Sequence, residues 1–97
     1  SRVVLLIMKH KDKNTLDAAA DKLAALLRQD LKDYVVGPAI PVIGRIRNQY
    51  QVELMIKLPK EQGMGLTYKK VIRNHINLMM AEKQYKSVTV VVDVDPG

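Results

Sequence analysis

"VVGPAIPVIGRIRNQYQVELMIKLP", residues 35–59, joins two kinds of chain in one run. Its second half alternates: Tyr50, Val52, Leu54, Ile56 and Leu58 share one side of an extended strand, and Gln51, Glu53, Met55 and Lys57 share the other. That pattern predicts a half-buried antiparallel strand with one wet face. Residues 39–47 before it are able to extend, but Pro38 and Pro41 cannot donate to a ladder and belong on a sheet edge. Asn48 and Gln49 are the expected turn of a hairpin that carries Arg45 and Arg47 on one face, close to the start of the next strand.

Working outward, "RVVLLIMK" (2–9) is a near-continuous apolar run, as expected of a strand buried on both faces or central in a sheet. Asn14 is the expected N-cap of a helix over about residues 15–31, with Asp17 near its positive end. Leu16, Ala19, Ala20, Leu23, Leu26, Leu27 and Leu31 form its apolar stripe. On the C-terminal side, "EQGMGL" reads as a loop, and Thr67 caps a second helix expected to reach about Gln84. Tyr68, Val71, Ile72, Ile76, Met79 and Met80 make that helix's apolar side, while Lys69, Lys70, Arg73 and Asn77 lie together elsewhere. "SVTVVVDVDP" then alternates, with Val88, Val90, Val92 and Val94 pointing one way. The order β-α-β-β-α-β predicts one α+β domain over residues 1–97. Its expected form is a ferredoxin-like sandwich, a four-stranded antiparallel sheet with two helices on one face.

Composition narrows the function. The chain has no cysteine, which excludes disulfides and thiolate metal sites and fits a reducing, cytoplasmic setting. No apolar run approaches the ~18 residues of a membrane span, and the opening residues lack the features of a signal peptide. The absence of an initiating Met predicts a piece of a larger protein. The net charge of +6 is unevenly spread: residues 45–86 hold nine Lys/Arg against three Glu, whereas residues 1–44 hold seven Lys/Arg against five Asp. A basic second half predicts a surface for phosphates or an acidic peptide.

Catalytic patterns are missing. His10 and His75 are far apart and do not make the three- or four-ligand cluster of a metal site, so both are expected to be structural or exposed. Asp93 and Asp95 share a strand face, but no third acid is near in sequence, and Asp-Pro commonly ends a strand. Neither a nucleophile–base arrangement nor a phosphate-binding glycine motif occurs, so no enzymatic activity and no cofactor are expected of these residues. The exposed face of the 50–58 strand carries no aromatic ring, which argues against base stacking by the sheet. Sequence-tolerant phosphate contact through Arg45, Arg47, Lys57, Lys60, Lys69, Lys70 and Arg73 is the expectation. A small-ligand domain would need an apolar pocket with converging polar groups, of which the sequence gives no sign.

Taken together, Gly37, Pro38, Ala39, Pro41, Arg45, Arg47, Tyr50, Leu54 and Lys57, followed by Val90, Asp93, Asp95 and Pro96, resemble a known family. It is that of the C-terminal domain of primosomal protein N′, the replication-restart DNA helicase of bacteria. The likeness spans essentially the whole chain. Gln51 departs from it, standing where the family usually has an arginine, so no contact of that arginine is carried over. The loop "KEQGMGLT" also looks longer than usual. The resemblance implies an accessory domain behind ATPase lobes and a zinc-binding element, with ATP, magnesium and zinc belonging to the parent helicase. The partners it implies are forked or single-stranded DNA and the helicase core. The alternative for the same basic surface is a protein-interaction role, binding an acidic peptide such as the tail of single-stranded-DNA-binding protein or docking on the helicase core.

Overall fold

The computed structural model describes residues 2–41, 45–46, 48–59 and 65–95; at residues 45, 46, 65 and 66 the description covers the backbone alone. β1 (Arg2–His10), α1 (Lys13–Leu31), β2 (Val35–Ala39), β3 (Arg45–Ile46), β4 (Gln49–Leu58), α2 (Gly65–Met80) and β5 (Thr89–Val94) follow in chain order. The sheet runs β2-β4-β1-β5, antiparallel throughout, and the short β3 pairs with β4 beyond β2. With β2 and β3 as two pieces of one edge, this is the expected ferredoxin-like β-α-β-β-α-β arrangement. Among the described residues, no helix is long and apolar enough to cross a membrane.

Strand alternation sets the core. Val4, Leu6 and Met8 of β1 and Val52, Leu54, Ile56 and Leu58 of β4 are buried on the face that the helices cover. Their neighbours Val3, Leu5, Ile7, Gln51, Glu53 and Met55 are half-buried on the outer face. β1 is thus the central strand the sequence predicts, though its second face is only half covered. α1 buries Leu16, Ala19, Ala20, Leu23, Ala24, Leu27 and Leu31. Three alanines in that stripe let the helix backbone lie close to the sheet. α2 contributes Tyr68, Ile72, Ile76 and Met79, and Tyr85 and Val88 close the layer below the start of β5.

Several local expectations are corrected. Asp12, not Asn14, caps α1: its carboxylate accepts from the Thr15 N–H at 2.9 Å and from the Thr15 hydroxyl at 2.6 Å. A carboxylate two residues earlier wins because it satisfies a first-turn N–H directly. α2 begins at Gly65 rather than at Thr67 and stops at Met80, where Glu82 turns extended and Lys83–Tyr85 forms a separate 3-10 turn. The edge strand starts earlier than expected, at Val35, and its register shifts between Val36 and Ala39. Gly37 makes that shift feasible. Its φ of 110° suits glycine, and a Cβ there would lie 3.0 Å from the Glu53 carbonyl oxygen. Arg28 steadies the irregular edge by donating to the Gly37 carbonyl at 2.7 Å. At the hairpin, Asn48 has a φ of 66° and Gln49 already belongs to β4; Arg47 lies outside the described residues, as do residues 60–64 of the long loop.

Both histidines are structural. The His10 Nδ1 accepts from the Asp12 N–H at 2.9 Å, so its Nε2 carries the proton and donates to the Ser87 hydroxyl at 2.7 Å. The His75 Nε2 donates to Asp30 at 2.5 Å and joins α2 to α1. Asp95 ends β5 much as a turn residue should. It accepts from the Val3 N–H at 3.1 Å, pairs with Arg2 at 3.5 Å and has a φ of 52°.

Two outcomes follow. Leu6→Ala, in the middle of the covered face, should lower unfolding stability by about 3 kcal/mol, while Leu78→Ala, 56% exposed at the start, should change it by less than about 0.5 kcal/mol; urea titration checks both. The Asp12 carboxyl is held below the usual carboxylate range, first by the Thr15 hydroxyl and then by the Thr15 N–H. Its contribution is therefore complete above the unfolded-state value of about 4 and fades as pH falls through the lower folded-state value. The urea midpoint of the wild-type chain should drop more between pH 6 and pH 3 than that of Asp12→Asn.

Candidate functional site

α2 is amphipathic with an unusual polar side. Its residues include Lys69, Lys70, Arg73 and His75 but no Asp or Glu. Lys69, Lys70 and Arg73 are exposed, and none has an ion-pair or hydrogen-bond partner among the described residues. Three other cations do have acidic partners: Arg2 with Asp95, Lys13 with Asp17, Lys22 with Glu82. The α2 trio thus forms an uncompensated positive strip.

Beside that strip runs an open groove of about 560 Å³, between the first half of α2 and the inner side of β1 and β5. Val4, Tyr68, Ile72, Val92 and Val94 make its apolar floor; Lys69, Lys70, Arg73 and Asn74 make its rim. The groove exists because burial fades along β5. Val88 is 2% exposed under the helices, whereas Val94 is 39% exposed. The expectation of no apolar pocket is corrected here. Sequence alternation placed Val92 and Val94 on the core side correctly, but it held no information on how far α2 reaches across them. Arg2 donates to the hydroxyl of Tyr68, one of the floor residues, at 3.2 Å. That bond, together with the Asp95 carboxylate, holds the guanidinium even more firmly protonated than usual. Neither Arg2 nor Tyr68 was a sequence candidate, since an arginine at a chain start and a tyrosine in an apolar stripe carry no signal by themselves.

The other candidate cations do not join this strip. Lys57 is exposed on the outer face of β4, with the sheet between it and α2. The backbone of Arg45 pairs with Tyr50, whose other partner is His10, at the far end of the far edge from Val4 and Val94. Strand spacing and rise put that corner roughly 20–25 Å from the groove, beyond the reach of an arginine side chain. The single patch expected from the hairpin and α2 together is therefore replaced by two separate positions. Lys60, like Arg47, lies outside the described residues.

Among the described residues, no group of three His, Cys, Asp or Glu side chains is placed to hold a metal ion. What the site offers chemically is an anion-attracting strip beside an apolar trough. No curated protein matches the chain. A family model described as the primosomal protein N C-terminal domain matches residues 1–97. On that match the chain belongs to the primosomal protein N C-terminal domain family, which implies a role in primosomal replication restart.

Proposed function

We propose that this chain is the accessory C-terminal domain of an ATP-dependent replication-restart helicase and touches branched DNA through phosphates, without reading bases. The observation that carries the reading is the α2 strip, where Lys69, Lys70 and Arg73 are exposed and unopposed by any acid on their helix. Arg45 and Arg47 of the hairpin would make a second contact. A separation of roughly 20–25 Å by strand geometry suits two arms of a fork better than neighbouring phosphates of one strand. Lys57 takes no part, because it faces away. Catalysis, ATP, magnesium and zinc are assigned to the rest of the parent.

With about three to five phosphates neutralised, log affinity for forked DNA should fall with log salt at a slope of roughly −2 to −4. The triple change Lys69→Glu, Lys70→Glu, Arg73→Glu should flatten that slope by about two to three. Fluorescence titration of a labelled fork at several salt concentrations measures both. A slope unaffected by the triple change sinks the assignment.

A second reading has its own support. A phosphate backbone has no use for the apolar floor of Val4, Tyr68, Ile72, Val92 and Val94, whereas a peptide with both carboxylates and apolar side chains uses floor and rim together. The tail of single-stranded-DNA-binding protein is a partner of that kind. If the triple change abolishes peptide binding and leaves fork binding intact, the α2 strip serves the peptide and the hairpin serves the DNA.

A further inference from the structure

The two edges of the sheet are built in opposite ways. The β2 edge is broken by Gly37 and Pro38, shifts register there, and has a second proline at Pro41. Such features protect natural sheets from pairing with strangers. The β5 edge has no such protection. Thr89–Val94 reads TVVVDV, β-branched at every position but Asp93, without proline, glycine or lysine, and it pairs with β1 without a shift. Among the described residues, β1 is its sole strand partner. Its outward N–H and C=O groups form a regular, extended template.

That open edge borders the groove. A strand laid along β5 would run beside α2, point alternate side chains at Val92, Val94, Ile72 and Tyr68, and pass Lys69, Lys70 and Arg73. An edge strand facing a helix across an apolar trough is a geometry that takes peptides by strand addition, with backbone bonds for affinity and alternate side chains for specificity. We propose that β5 is a strand-addition site, whose ligand is an extended peptide that carries apolar residues and carboxylates together on its α2-facing alternate positions. This rests on the acidic-peptide reading above and specifies how the peptide is held.

Charge selects among the occupants. A second copy of this chain, paired edge to edge, would bring two basic α2 helices to one seam on the same face, and like charges would oppose it. Nucleic acid supplies the negative charge but neither a peptide ladder nor side chains for the apolar floor. An acidic, partly apolar peptide supplies all three.

The test uses the 97-residue chain and a fluorescein-labelled synthetic peptide with threonine at every second position and leucine and aspartate sharing the positions between, so that both face α2 when the peptide is extended, followed by anisotropy. Two further forms carry N-methyl groups on one or the other set of alternate amides. In an added strand, alternate amides face the neighbouring strand, so one form should lose about tenfold or more in affinity and the other should bind like the parent. Equal behaviour of the two forms overturns strand addition; if Lys69→Glu with Lys70→Glu still abolishes binding in that case, the acidic-peptide reading survives alone. No binding of the unmethylated peptide at low salt removes both.

Discussion

The unshifted pairing of β1 with β4 is the constraint on which the rest depends. It runs from Arg2 opposite Leu58 to His10 opposite Tyr50, and it puts Val4, Leu6 and Met8 beside Ile56, Leu54 and Val52 on a single face. A slip of β4 by one residue would turn Val52, Leu54, Ile56 and Leu58 to the outer face and bring Glu53 and Lys57 under the helices. Burial of the seven largest contributors on these strands is what repays the ordering of two helices that neither propensity nor capping alone would hold in place. α1 then docks by size as much as by hydrophobicity. Ala19, Ala20 and Ala24 are at most 1% exposed, so larger residues at these positions would push the helix off the sheet.

Covering four strands with two helices leaves the margins thin, and the two margins are handled differently. α1 lies over β4, β2 and β1, and Arg28 ties it to the irregular β2 edge. α2 packs on α1 through Ile76, Met79 and the His75–Asp30 bond, which draws it inward. The far half of β5 is left partly uncovered, and the groove is the consequence. Its apolar floor is therefore not an accident of surface composition. Its exposed part, Val92 and Val94, is core-facing strand that the helix layer does not fully cover.

Much of this architecture was legible in the residues. The alternation of Tyr50 to Leu58, the stripe from Leu16 to Leu31 and the valines of the last strand each named the correct face, because period-two and helical spacing translate directly into burial. Boundaries were less legible. Asp12 and Asn14 are both good caps by composition, and the choice between them turned on which side chain meets the Thr15 N–H. The end of α2 at Met80 was hidden because Ala81, Glu82, Lys83 and Gln84 are all good helix formers; the turn there brings Tyr85 and Val88 into the core, a tertiary gain that local preference does not register. The candidate site was legible by residue type but not by position. Lys69, Lys70 and Arg73 were placed together by helical spacing, whereas joining them to Arg45 required a distance across the sheet that no local pattern encodes.

The fold does not require the α2 strip to be basic. Tyr68, Ile72, Ile76 and Met79 account for the buried side of that helix, and any polar residues would serve on the other side. Mixed charge would serve better, since pairs three or four residues apart add a few tenths of a kcal/mol to a helix, and α1 uses such a pair in Lys13 and Asp17. α2 forgoes it. Three cations without an acid on the same helix, next to apolar floor that the core leaves open, are the features that folding does not explain. The anionic partner proposed above would account for residues that are free of the demands of packing yet uniform in chemistry.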